Sequence, residues 1–158
     1  MTPEEAWRIL DEIKDPEIPV VSIVEMGMLR HVEIEDQTVT VTIAPTFVGC
    51  PAIQVIQEHV TRSLEEAGAE TVNVRFTYSP PWSSDAITPE ARKKLKGFGL
   101  SPPQMHQGLI EIALLDPAAC PYCDSTNTSM RNSFGPTLCR SIHYCNNCQQ
   151  PFEAFKPL

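Results

Sequence analysis

The sequence predicts an α/β (α+β) fold, with a compact domain ordered α-β-β-α-β-α followed by a small C-terminal ribbon held by four cysteines. Helical and strand periodicities alternate up to about residue 100, prolines punctuate the next segment, and two Cys-x2-Cys pairs follow. We therefore expect a first domain at residues 1–100, a linker with a candidate strand at residues 101–116, and the ribbon at residues 117–158.

Three segments are predicted helices: residues 2–14, 50–68 and 88–97. The first two space their apolar residues as one face of a helix does, and the third is a short basic helix opened by Thr88-Pro89-Glu90. The first segment has the clearest boundaries. Thr2 can cap it, Pro3 suits the first helical position, and Glu5 can complete a capping box. The Asp15-Pro16 pair ends this helix, because the residue before a proline avoids helical backbone.

Three other segments are predicted strands: residues 28–34, 38–44 and 71–78, of which the second and third alternate apolar and polar residues. The first two form a hairpin around a short turn. The helix between the second and third is long enough to carry the chain back across the sheet. Residues 110–114 are a further candidate strand inside the linker.

Composition limits the classes of function. The formal net charge of −8 argues against a protein that tracks nucleic-acid phosphates, which requires clustered Lys and Arg. No apolar run reaches the length of a membrane span, and the acidic N-terminus does not resemble a signal peptide. We expect a cytoplasmic protein with protein partners, no nucleic acid and no membrane. In that reducing compartment, six cysteines favour metal chemistry over disulfides.

Two cysteine knuckles predict a metal site in the ribbon. Each Cys-x2-Cys pair suits one tight turn, and two facing pairs complete a closed tetrahedral zinc site that builds structure and does not catalyse. A rubredoxin-like iron site and four metal-free thiols are the alternatives. Cys139 and His143 are rival ligands outside the knuckles. The four predicted ligands are Cys120, Cys123, Cys145 and Cys148.

Cys50 is a candidate metal-handling thiol, because it lies at the predicted N-terminus of a helix, where the dipole stabilises a thiolate. The alternative is a small buried hydrophobe, which is common for a lone cysteine. Asp15 belongs to a helix terminator whose carboxylates can simply be solvated. Trp82, after two prolines, is a partner anchor or a lid over the core, and we favour the lid.

Four motifs stand out along residues 3–100: Asp15-Pro16-Glu17-Ile18-Pro19-Val20, Met26-Gly27-Met28, Thr46-Phe47-Val48-Gly49-Cys50-Pro51 and Pro80-Pro81-Trp82. Together they resemble the iron-sulfur cluster assembly domain family that includes SufT. Met26 stands where family members have leucine, a change that conserves volume.

The ribbon that follows ends in Cys145-Asn146-Asn147-Cys148-Gln149-Gln150-Pro151-Phe152-Glu153-Ala154-Phe155-Lys156. A ribbon of this kind after such a domain is similar to that of the PaaD (PaaJ) family of accessory proteins of bacterial phenylacetate degradation. The likeness spans nearly the whole chain.

The resemblance implies a role in maturing or supporting the multicomponent phenylacetyl-CoA oxygenase (epoxidase), whose reductase carries an iron-sulfur cluster. It implies that Cys50 handles iron or a cluster transiently, that Asp15 assists, and that the oxygenase or reductase components are partners. One thiolate cannot hold a cluster unaided, so a client or a second copy of the chain must contribute, and a homodimer stays open.

We do not expect an enzyme, because Cys50 has no identifiable base nearby in the sequence. The main alternative to a maturation factor is a non-catalytic subunit that stays bound to the oxygenase and aids its assembly or electron transfer.

Overall fold

The computed structural model describes residues 1–109 and 116–158, and its contacts divide the chain into two compact units, residues 1–82 and 83–158. The predicted mixed fold and the predicted order of helices and strands in the first hundred residues are confirmed. The candidate strand at residues 110–114 lies outside the described residues.

The first unit packs two helices with a three-stranded sheet. The sheet order is β1-β2-β3, in which β2 runs antiparallel to β1 and parallel to β3. This topology needs a crossover between β2 and β3, which a helix supplies. The elements are α1 (Pro3–Asp11), β1 (Leu29–Glu35), β2 (Thr38–Ile43), α2 (Ala52–Glu66) and β3 (Thr71–Phe76).

Local signals in the sequence set the start of α1. The Thr2 side chain accepts from the Glu5 N–H at 3.2 Å, and the Glu5 carboxylate accepts from the Thr2 N–H at 2.7 Å. This reciprocal pair is the predicted capping box, and Pro3 occupies the first turn. The helix then buries Ala6 and Leu10, which lie four residues apart on one face.

The core of the first unit forms where α2 and the sheet bury their apolar faces. In β2 every second residue is buried, as strand alternation requires. In α2 the buried residues recur every four positions, which places them on one side of the helix. These side chains are Val39, Val41 and Ile43 of β2 and Ala52, Ile56, Val60 and Leu64 of α2.

The second unit is built on a four-stranded sheet. A short 3-10 turn (Ser84–Ala86) precedes α3 (Pro89–Gly97), β4 (Leu100–Ser101), β5 (Thr128–Asn132), β6 (Arg140–Cys145) and β7 (Pro151–Phe155). The order of strands in the sheet is β4-β7-β6-β5. Strand β4 pairs with β7, and α3 contacts β4, so the contacts divide the chain after Trp82. The boundary at residue 100 stays a prediction.

Trp82 closes over the first unit, as the lid interpretation predicts. Its side chain is only 5% exposed, and its indole Nε1 donates to the Met26 carbonyl at 2.8 Å. Burying an indole requires such a partner for its N–H. The bond ties the end of the first unit to the segment before β1.

None of the helices within residues 1–109 and 116–158 is long and apolar enough to cross a bilayer.

We expect Trp82→Phe to lower the free energy of unfolding by about 1 to 3 kcal/mol, because it leaves the Met26 carbonyl buried without the indole donor. Trp7→Phe is the matched control, since Trp7 is 36% exposed on α1. Urea unfolding followed by circular dichroism measures both variants. Equal stability of the two variants would contradict this assignment.

Candidate functional site

The pairing of β2 brings three loops to one end of the first sheet. Residue Leu29 at the start of β1 pairs with Ile43 at the end of β2, and Ile43 pairs with Phe76 at the end of β3. The loop before β1 and the loops after β2 and β3 therefore all leave from the same end. The four family-like motifs lie in these loops.

Hydrogen bonds join the three loops where they leave the sheet. The Ala44 N–H donates to the Met28 carbonyl at 2.7 Å, and the Thr77 N–H donates to the Ile43 carbonyl at 2.9 Å. The bond from Trp82 to Met26 links the third loop to the first. These bonds join loops that lie far apart in the sequence, and we call the three loops, residues 12–28, 44–51 and 77–82, the sheet end.

Cys50 lies at the sheet end, one residue before Pro51, the N-cap residue of α2. Its carbonyl accepts from the Ile53 N–H at 3.2 Å, which holds it against the first turn of the helix. The N-cap side chain makes no capping bond, and the first turn holds no acidic residue to compete for the positive end of the dipole. Cys50 is half-buried, so it is not the fully buried hydrophobe of the alternative interpretation.

Asp15 organises the first of these loops. Its Oδ1 accepts from the Glu17 N–H at 2.8 Å and from the Ile18 N–H at 3.0 Å, and its own N–H donates to the Val21 carbonyl at 3.0 Å. The side chain is buried, whereas a merely solvated helix terminator would have an exposed carboxylate. Its assistance to Cys50 stays a prediction.

The two cysteine knuckles of the second unit share one backbone design. Cys120 donates its N–H to the Ser125 carbonyl at 2.9 Å, and Cys145 donates its own to the Gln150 carbonyl at 2.9 Å. The residues four positions after each first cysteine, Asp124 and Gln149, both adopt left-handed backbone with φ of 61°. The same backbone turn thus follows the first cysteine of each knuckle.

The four knuckle sulfurs meet in one cluster, with all Sγ atoms within 4.8 Å of one another. The Cys120–Cys148 and Cys123–Cys145 pairs lie 3.6 Å apart. Thiolates at about 2.3 Å from a tetrahedral ion lie about 3.8 Å from each other. The donor set and its spacing therefore fit one metal ion with no open position.

Hydrogen bonds prepare one of these sulfurs to be a thiolate. The Asn147 amide donates to Cys123 Sγ at 3.6 Å, and this bond, with help from the Ser125 N–H, lowers the pKa of the Cys123 thiol to about 6. Burial and the neighbouring sulfurs raise the pKa of Cys148 to about 12. A bound cation must displace the remaining protons, so metal affinity should fall as the pH falls.

The rival ligands lie outside the sulfur cluster that the structure describes. Cys139 is buried beside Thr137, whose hydroxyl oxygen is 3.2 Å from its Sγ. His143 Nε2 is 2.9 Å from Ser141 Oγ, its ring stacks on Phe152, and burial lowers its pKa. Both side chains are used in packing the ribbon.

Asn147 is the residue of this site that the sequence reasoning missed. It lies inside the second knuckle, Cys145-Asn146-Asn147-Cys148, and contacts a sulfur of the other knuckle. The only signal in the sequence is a side-chain amide between two ligands, which does not reveal which sulfur it reaches. The neighbouring Asn146 instead bonds Asn127 across the ribbon.

Sequence profiles of two families match the two parts of the chain. A profile described as iron-sulfur cluster assembly protein matches residues 3–76, and one described as PaaD zinc beta ribbon domain matches residues 112–156. The first profile contains Asp15 and Cys50, and the second contains all four knuckle cysteines.

Relatives with curated names cover different shares of the chain. A protein of Escherichia coli, named as one subunit of a putative 1,2-phenylacetyl-CoA epoxidase, is 35% identical over 96% of this chain and 91% of its own length. A protein of Porphyromonas gingivalis named Fe-S protein maturation auxiliary factor is 36% identical over 61% of this chain and 92% of its own.

A solved domain of unknown function from Bacillus anthracis is similar to this chain in fold. Its TM-score is 0.55 and its identity 25%, and the match covers 58% of this chain and 89% of that chain.

We expect the protein to bind about one metal ion per chain and Cys145→Ser to lose most of it, because a closed site needs all four sulfurs. Cys139→Ser is the matched control, since it removes a buried sulfur outside the cluster. Elemental analysis after gel filtration measures both variants. Full metal retention by Cys145→Ser, or equal loss from Cys139→Ser, would contradict the cluster assignment.

Proposed function

Because this chain belongs to the PaaD family of iron-sulfur cluster assembly-type proteins, we propose that it matures the iron sites of a multicomponent phenylacetyl-CoA oxygenase (epoxidase) or its reductase. An accessory role is common to the relatives named as maturation factors. The specific client is our proposal, and it rests on the epoxidase named in the Escherichia coli relative.

The observation that carries this proposal is the position of Cys50 at the sheet end. A half-buried thiol beside a helix N-terminus can become a thiolate and can still be reached by another protein. Two exposed apolar side chains lie in the same loops, Val48 at 73% exposure and Tyr78 at 47%. Such side chains suit a surface that a client covers.

In the proposed reaction, Cys50 binds iron or a cluster for a short time and passes it on. A cluster normally takes four protein ligands, so the client or a second copy of this chain supplies the others. Asp15 keeps the neighbouring loop in shape through its backbone hydrogen bonds, and we propose that this supports the thiol. Cargo is thus exchanged at Cys50.

We propose that the ribbon binds zinc and serves structure or docking. The zinc ribbon profile and the four-sulfur cluster support zinc, whereas four thiolates alone also suit iron. A closed site offers no position for substrate. The metal would supply much of the folding free energy of this part of the chain.

We also propose that the protein acts in the cytoplasm and binds proteins rather than nucleic acid. None of the six cysteines, all within the described residues, forms a disulfide, which suits a reducing compartment. The formal charge of −8 disfavours phosphate binding.

A second candidate function is that of a non-catalytic component held permanently in the oxygenase complex. The name of the Escherichia coli relative favours it, because that name describes the protein as a subunit. Co-purification with the oxygenase in a fixed ratio would support it. A maturation factor leaves its client after transfer, so the ratio should then vary with preparation.

We expect the epoxidase components purified from cells with Cys50→Ala in place of the wild-type protein to contain less iron and sulfide. Cells that lack the protein entirely set the lower limit of client iron and sulfide. Cys139→Ala is the control for loss of a cysteine outside the site. Iron and acid-labile sulfide per client are measured. Equal occupancy with and without the protein would end the maturation proposal.

A further inference from the structure

The loop at residues 133–139 exposes two large apolar side chains. Phe134 is 69% exposed and Leu138 is 45% exposed, in the turn between β5 and β6. Lys156 joins them: its Nζ donates to the Leu138 carbonyl at 2.9 Å and lies 5.4 Å from the centre of the Phe134 ring. We call Phe134, Leu138 and Lys156 the tip patch.

The turn beneath the tip patch is held by its own hydrogen bonds. The Phe134 N–H donates to Asn132 Oδ1 at 2.9 Å, and the Gly135 N–H donates to the Arg140 carbonyl at 2.9 Å. A Cβ at Gly135 would lie 2.9 Å from that carbonyl, so the backbones approach closely here. The patch is therefore preorganised, which lowers the entropy cost of binding.

Charge distinguishes this part of the chain from the rest. No acidic residue occurs between Asp124 and Glu153, although the chain has 20 acidic residues. Residues 1–82 hold fourteen acidic and five basic side chains, whereas residues 83–158 hold six and seven. The tip patch is thus an apolar surface with a cation at its centre, in the less acidic unit.

We propose that the tip patch docks into an apolar recess bordered by carboxylates on the client protein. A recess of this kind would bury the Phe134 ring and place acidic side chains opposite Lys156. Aromatic side chains such as Phe134 are enriched in protein interfaces, and a charge at the patch contributes mainly to partner choice and association rate. This inference rests on the proposed function, because that function requires such a client.

The test measures binding of the full-length protein to the purified oxygenase and reductase components of the epoxidase. We expect Phe134→Ser and Lys156→Glu to raise the dissociation constant by about tenfold or more. The matched controls, Phe98→Ser and Lys93→Glu, change exposed residues of the same unit and should stay within about twofold of the wild type. Metal content of each variant verifies that the ribbon is intact.

Unchanged binding of both patch variants, or no binding of the wild-type protein to either component, would overturn the docking proposal. Two other results would also overturn it. If the patch variants selectively weaken self-association in sedimentation, the occupant is a second copy of the chain. If they selectively weaken binding of a duplex RNA probe, the occupant is a nucleic acid. If client iron still depends on the protein while the patch variants bind normally, the proposed function stands and only the tip patch is wrong.

Discussion

Strand β2 pairs with β1 on one edge and with β3 on the other, and the candidate site at Cys50 depends on this pairing. Because β1 is antiparallel and β3 is parallel to β2, three loops must leave the sheet from one end. The buried faces of β2 and α2 fix this arrangement through the core. Cys50 therefore lies half-buried in a loop outside the packed core, and a thiol that exchanges metal requires such partial access.

The two thiol sites of the chain differ in the number of sulfurs that they offer. The knuckles bring four sulfurs within 4.8 Å, and their first cysteines are fully buried with Phe152 and Ala154. Four donors around one ion leave no room for exchange with a partner. Cys50 offers one sulfur in a loop, so its ligand field must be completed from outside. The proposed division into a lasting structural metal and a transient cargo follows from this difference.

Most helices and strands could be predicted from local signals in the sequence, whereas the long-range pairings between them could not. The start of α1 and the alternation in β2 follow from Thr2, Glu5 and the Val-Thr repeats, which act within a few residues. The knuckles are equally local. The β2–β3 register that gathers the family-like motifs, the two-residue strand β4 and the contact between Phe134 and Lys156 join distant segments. The periodicity of apolar residues carries no information on such contacts. For Cys50, the expected role in handling iron came from the family resemblance.

We propose that Cys50 binds iron while the four-cysteine cluster keeps a separate ion. Iron added anaerobically to the purified protein, with and without Cys50→Ala, tests this claim through the thiolate-to-iron absorption bands and elemental analysis. We predict that the wild type shows these bands, that the variant loses them, and that both retain about one zinc per chain. Equal iron bands in the two proteins, or iron bound only with loss of the zinc, would contradict the account.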